Sequence, residues 1–334
     1  MRLSTLRRGL VAMVGLAALA MPARALTITP TFDSTVTSAG NAADIQAAIN
    51  SAASAISALY SDSGNVNIVF RLGSTGLGSS QSAIYTMPYA GYTAALAADA
   101  AANPANTTLA TALANLSTGN GAAGTLPIKA GEVQLRVALG VAGATPCFNA
   151  SGAFVSGCNS THDGVITLSN TASIDYVRPV ASGFYDAIAV LEHEINEILG
   201  GGGPGTVLNG FAATCSALTP TAYGSLDLYR YSAPGTPSFT TCPSASSYLS
   251  VDGGVTSIVG FNQSLSGDMA DFVSGYVQSA FGTTGAEFNV TTATPEYPMM
   301  LALGYDPVAA PEPASVALLG GCLAGLGFVR RRRG

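Results

Sequence analysis

The chain has 334 residues, with 13 basic and 19 acidic side chains, two histidines and no tryptophan. Four basic residues stand within the first 25 positions and four in Arg330–Arg333, so the body from Leu26 to Ala310 sets five basic residues against eighteen acids, a net charge of about −13. A body this acidic has no electrostatic footprint for nucleic acid, and two histidines exclude a three-histidine metal site within one molecule. Periodic blocks of Val, Ile, Leu, Phe and Tyr favour a globular fold over a disordered chain.

In chain order, Met1–Ala25 carries Arg2, Arg7 and Arg8, an apolar run over Gly9–Ala20, and Ala23-Arg24-Ala25. This arrangement predicts a secretory signal peptide cut after Ala25. Leu26–Thr37 alternates and predicts a first strand. Ile45, Ala48, Ile49, Ala52, Ile56 and Leu59 recur at helical spacing after Asn41 or Asp44, and Val66–Leu72 predicts a second strand. Tyr92–Leu116 reads as helix in pieces broken at Pro104, with a loop over Ser117–Gly124, a short helix over 130–143 and a strand over Val165–Ser169. Phe184–Leu199 carries the strongest helical signal, with Ser182 as cap and Gly200 as stop. A lobe of turns and short strands around Tyr231, Val251 and Phe261 runs on to about Asp306. One domain over 26–310 is the expectation.

The C-terminus reads Pro311-Glu312-Pro313, an apolar Ala314–Val329, then four arginines. Sixteen helical residues span about 24 Å, slightly short of a bilayer, with the arginines halting transfer. A plain transmembrane anchor is one reading. The order of the three parts instead resembles the PEP-CTERM sorting signal (311–334) of Gram-negative bacteria. That resemblance implies recognition by an exosortase, transient membrane association through the helix, and delivery to the cell envelope, surface or extracellular matrix. Cysteine usage agrees with export: the sequence-local pairing is Cys147–Cys158 and Cys215–Cys242, and a tetrathiolate zinc site lacks the Cys-x-x-Cys spacing it needs.

The chemistry concentrates in His193-Glu194-Ile195-Asn196-Glu197. At about 100° per residue His193 and Glu197 lie one turn apart on one side of a helix, and Ile188, Leu191, Ile195 and Ile198 form an apolar stripe on the far side. Two ligands one turn apart grip an ion, and the intervening Glu194 serves as general base toward a water. Glu192 points away from Glu194 and is left out of the site. The pattern is His-Glu-x-x-His with Glu197 where the second histidine normally stands; alone it is weak, because short acidic patterns occur by chance on surface helices.

The blocks Leu191–Gly200, Leu226-Asp227-Leu228-Tyr229-Arg230-Tyr231, Ser250–Gly254 and Leu303-Gly304-Tyr305-Asp306 resemble exported, PEP-CTERM-associated metalloprotease-like proteins. The resemblance implies an α+β, zincin-like fold of metzincin type, a two-lobed single domain with a mixed sheet, the site helix across a cleft and an irregular C-terminal lobe. It implies a zinc-dependent peptidase acting on a protein or peptide substrate. Gly203 stands where a metzincin has its third histidine. Asp227, the one acid of its block, is the candidate third ligand, with pairing to Arg230 as the alternative. Zinc is favoured by the helix motif; calcium and manganese suit the two carboxylates as well. The rival expectation is a non-catalytic binding or matrix protein on a degenerate zincin fold. His162 reads as an exposed turn residue, Met299-Met300 as core or a Met-turn beneath the metal, and Tyr229 or Tyr231 as packing or an oxyanion donor.

Overall fold

A computed structural model describes residues 26–119, 126–211, 218 and 220–308. The expected leader, the sorting segment and Cys215 lie outside these residues.

Strand β1 (Thr27–Phe32) ends where Asp33 caps a one-turn helix, α1 (Ser34–Thr37), its Oδ1 accepting from the amides of Thr35 (2.8 Å) and Val36 (3.3 Å). The strand expected to reach Thr37 therefore stops short, because an aspartate side chain competes with the ladder for backbone donors. Helix α2 (Ala42–Ser57) buries Ile45, Ala48, Ile49, Ala52 and Ile56, and β2 (Asn65–Gly73) returns parallel to β1. Two strands that the sequence pattern does not show follow, β3 (Gly78–Ser82) and β4 (Ile84–Met87). Helices α3 (Tyr89–Ala102) and α4 (Thr107–Gly119) flank Pro104 as expected.

Strand β5 (Ile128–Gly131) leads into a π-helical turn, Gln134–Ala138, where a plain short helix was expected. Strand β6 (Gly164–Ser169) is buried along its whole length. It sits between β2 and β3 in a sheet of order β1-β2-β6-β3, parallel except for the antiparallel edge strand β3. Strands β7 (Ile174–Asp175) and β8 (Tyr185–Asp186) pair just before helix α5 (Ala187–Ile198), which packs against α2 and β3.

The C-terminal part is short strands and turns. Strand β9 (Tyr223–Gly224) joins β4 and β5. Strands β10 (Arg230–Ala233), β11 (Thr236–Pro237), β12 (Tyr248–Leu249) and β13 (Val259–Gly260) make a small antiparallel sheet, and α6 (Glu296–Ala302) closes the fold. The architecture is mixed α+β. One hydrophobic cluster runs from Leu26 through α5 to Tyr305, so both parts share a core.

Both ends of the described chain meet at one place. Leu26 N donates to Tyr60 O (3.3 Å), Ser61 N to Asp306 O (2.9 Å) and Val308 N to Leu59 O (3.3 Å). Cys147 and Cys158 form a disulfide. Cys242 is also disulfide-bonded, and its expected partner Cys215 falls outside the description. Among the described residues no helix is long and apolar enough to cross a membrane; the expected C-terminal helix is not among them.

Candidate metal centre

Helix α5 begins at Asp186, whose Oδ1 accepts from Ile188 N at 3.0 Å while Arg178 Nε grips the same carboxylate at 3.2 and 3.1 Å. Ser182 is not the cap, because the chain is still paired as β8 at Tyr185 and Asp186. Leu191, Ile195 and Ile198 are fully buried on the inner face, each stabilising by roughly 1.5–3 kcal/mol. That burial fixes the helix's rotation and leaves His193, Glu194 and Glu197 on a cleft of about 400 Å³. One wall of the cleft is the turn and edge strand Gly76–Ser80, and another is the irregular segment from Asp268 to Phe288.

His193 Nδ1 lies 3.0 Å from the carbonyl oxygen of Val277. A carbonyl only accepts, so Nδ1 carries a proton and Nε2 is the ring nitrogen that faces the cleft. Around Nε2 stand Asp271 Oδ2 at 3.6 Å, Glu197 Oε1 at 3.8 Å and Gln278 Nε2 at 3.3 Å. Among the described residues His193, Glu197 and Asp271 form a group with metal-ligand spacing, their ligand atoms all within 4.8 Å of one another.

Each carboxylate is held from behind. Glu197 Oε2 accepts from Ser80 Oγ (2.6 Å) and Oε1 from Gly203 N (3.1 Å); Asp271 Oδ1 accepts from Gln278 Nε2 (2.9 Å). Glu194 lies against Gly78 of β3, where a side chain would overlap its carboxylate. No described group donates to its buried Oε2.

The cleft floor is rich in negative charge, and no lysine or arginine is among the described residues that line it. Burial raises the Glu194 carboxyl well above the usual range; His193 opposes the shift, and Glu197 adds to it. Burial pushes Asp271 up to about 8 against the pull of His193, and burial with Glu197 nearby pushes Asp268 up to about 6. Burial alone would lower His193, but Asp271, Glu194 and Glu197 together carry it up to about 10. Four carboxylates thus compete for one imidazole.

Of the residues expected from the sequence, His193, Glu194 and Glu197 come together and Asp227 does not join them. Asp227 sits on the 3-10 turn Leu226–Tyr229, 3% exposed. Its carboxylate accepts from Thr206 Oγ1 (2.6 Å), Val207 N (3.0 Å) and Gly224 N (2.7 Å), so it staples the loop that follows the glycine run. The third position beside His193 and Glu197 is held by Asp271. Arg230 reaches past Asp227 to donate to Met269 O (2.6 Å) and stacks 4.5 Å from the Phe261 ring centroid, which steadies the segment carrying Asp268 and Asp271.

Glu192 is indeed turned away, accepting from Val290 N at 2.6 Å. His162 is buried rather than exposed, its ring nitrogens engaged by Thr31 and Thr161 hydroxyls. Tyr229 donates to Ala302 O (2.7 Å) and is not available to an oxyanion. Met299 and Met300 are fully buried beneath Gly201, where a Cβ would come within 2.8 Å of Met299 Cε and 3.1 Å of Met300 Sδ.

The glycine run takes its meaning from this packing. Gly200 has φ +103° and ends the helix. At Gly202 a Cβ would overlap Gln278 Nε2 and come within 3.0 Å of Glu197 Cγ; at Gly203 it would come within 2.5 Å of Asp268 Oδ2 and 3.0 Å of Glu197 Oε1. Backbone without side chains is what lets the loop close on the carboxylates.

Residues 309–333 match the family described as the PEP-CTERM protein-sorting motif. No curated protein matches the chain, and no solved structure matches it. The motif marks an exported bacterial protein sorted to the cell surface, with an exosortase as the partner that recognises its C-terminal signal.

Proposed function

We propose that residues 26–308 form a metal-dependent hydrolase of peptide bonds, with a zincin-like site displayed by a surface-sorted protein. The observation that carries this reading is the convergence of His193 Nε2, Glu197 and Asp271 within 4.8 Å of one another beside a buried Glu194, in an open cleft. The donors fit a divalent cation. The ring lone pair is directed by the Val277 carbonyl, and a floor of carboxylates lacks any other counter-charge among the described residues that line it. When bound, such a cation supplies Lewis-acid polarisation of a carbonyl and acidification of a water.

The chain's own groups do the rest. His193 and Glu197, one turn apart, and Asp271 from the facing segment hold the cation. Glu194 accepts the proton of the attacking water and returns it to the departing amine, a role suited to a buried carboxyl with high proton affinity. Strand β3 is the outer strand of its sheet, and Gly78–Ser80 line the cleft. An extended peptide can pair with that edge and lie across α5.

A second reading keeps the cation without catalysis. Glu197 in place of a second histidine leaves one nitrogen and two carboxylates, a harder set that suits calcium in a binding protein on a degenerate zincin fold. Metal analysis of the mature chain, with turnover of a peptide library by the wild type and Glu194→Gln, separates the two. The expected result is about one transition-type ion per chain in both proteins and a rate lower by about 10²–10⁴ in the variant. Absence of metal, or metal without cleavage of any peptide, refutes the hydrolase.

A further inference from the structure

The two carboxylates of the cluster are held in the same way. Glu197 turns Oε1 toward His193 Nε2, and its Oε2 accepts from Ser80 Oγ at 2.6 Å. Asp271 turns Oδ2 toward the same nitrogen, and its Oδ1 accepts from Gln278 Nε2 at 2.9 Å. Each therefore has one oxygen facing the centre and the other held by a side chain; the Glu197 oxygen that faces the centre also accepts from Gly203 N at 3.1 Å. Resting on the reading of this cluster as a metal site, we propose that Gln278 and Ser80 are its cation-selectivity residues. By occupying the second oxygen of Asp271 and Glu197 they restrict each carboxylate to one ligand atom, so the site takes a zinc-type cation and rejects calcium.

The argument is one of coordination number. Calcium takes about six to eight oxygens and commonly draws carboxylates in bidentate fashion. Three single-atom ligands, one nitrogen and two oxygens, match the number of protein ligands at catalytic zinc sites. For Asp271 to chelate, its carboxylate would rotate to present both oxygens equally and give up Gln278. That amide is fully buried and its Oε1 already has no partner. Giving up Asp271 as well costs Nε2 the shorter of its two contacts and leaves it only His193 Nε2 at 3.3 Å, a nitrogen that a bound cation would take.

Gln278 also has no room to follow a rotating carboxylate. Its main-chain nitrogen donates to Glu296 Oε1 of α6 at 2.9 Å. The carbonyl of Val277, one residue earlier, holds His193 Nδ1. The amide end rests on Gly202, where not even a Cβ would fit. Two consecutive residues thus set the tautomer of one ligand and the denticity of another. Ser80 does the same for Glu197 from the opposite wall, and because it belongs to β3 its position is fixed by the sheet.

The experiment measures zinc and calcium affinities separately, by competition with a chromophoric chelator, on the mature chain and on Gln278→Met and Ser80→Ala. The wild type is expected to bind zinc far more tightly than calcium. In Gln278→Met zinc affinity should fall by about 10–100-fold while calcium affinity holds or rises, so the ratio of the two drops about tenfold or more. Ser80→Ala should move the ratio in the same direction, and its half-buried side chain lets it decide the matter if Gln278→Met does not fold. A parallel fall of both affinities in the variants, leaving the ratio unchanged, overturns the proposal while leaving the metal site standing. A wild type that prefers calcium overturns it outright, and one that binds neither ion removes the site on which it rests.

Discussion

Gly202 is the position where loop geometry and ligand geometry are most tightly joined, and Gly202→Ala is the perturbation that reads both. Its φ is +58° and ψ −141°, a region essentially reserved for glycine that costs another residue roughly 1–3 kcal/mol. The added methyl would overlap Gln278 Nε2 and press on Glu197 Cγ at 3.0 Å. Overpacking of this kind costs roughly another 1–3 kcal/mol, more where the neighbours cannot yield. Gln278 is fully buried, so the larger end applies. The sum, about 4–6 kcal/mol, corresponds to a fall in unfolding temperature of roughly 10–20 °C for a domain of this size. Gly210 is the matched control, since a Cβ there meets nothing within 4 Å; Gly210→Ala should stay within about 0.5 kcal/mol of wild type. Thermal unfolding by circular dichroism, alongside zinc affinity, tests both. A Gly202→Ala protein that unfolds with the wild type and keeps its zinc affinity would show that the loop does not press on the ligands.

Two other outcomes are expected. Asp271→Asn should lose metal, whereas Asp227→Asn should keep metal while lowering the unfolding temperature, because its carboxylate binds three loop donors and no ligand; metal content of the two purified variants decides which aspartate is the third ligand. Burial, with Asp306 and Asp99 nearby, pushes Asp62 up to about 8, and burial raises Asp306 to about 7 and Asp99 to about 6. The folded chain therefore binds these protons more tightly than the unfolded chain, so stability falls as pH rises from about 4 to about 8. Asp62→Asn retains an acceptor for Asp306 N (3.0 Å) and should flatten that fall; an equally steep profile in the variant would assign the pH dependence elsewhere.

The part of the site that was legible in the sequence is the part that obeys a period. His193 and Glu197 are one helical turn apart, and the apolar stripe of Leu191, Ile195 and Ile198 told which face they would leave exposed. Asp271 obeys no period: it comes from an irregular segment, and only the packing of that segment on α5, steadied by Arg230 and Gln278, brings its carboxylate to His193. Asp227 drew attention through its neighbours in sequence, yet loop amides claim its oxygens. The fold divides likewise. Helix α2 and strands β2 and β6 carry strong apolar patterns and were visible, whereas β3, read Gly-Ser-Ser-Gln-Ser, has no β-branched or alternating apolar residue and is held as a strand by its pairing with β6 alone. The π-helical turn after β5 follows from long-range ties, with buried Gln134 bonding Tyr92 and Leu303 and Arg136 bridging Glu132 and Asp163.

The meeting of both chain ends at Tyr60 bears on how the protein can be handed from one machine to another. Val308 is still paired to Leu59, and the sorting motif starts at the very next position. Only residues 309 and 310 separate that pairing from Pro311. The same short seam fastens Leu26, so the two ends of the described chain share one anchorage, and a pull on either end is felt at the other.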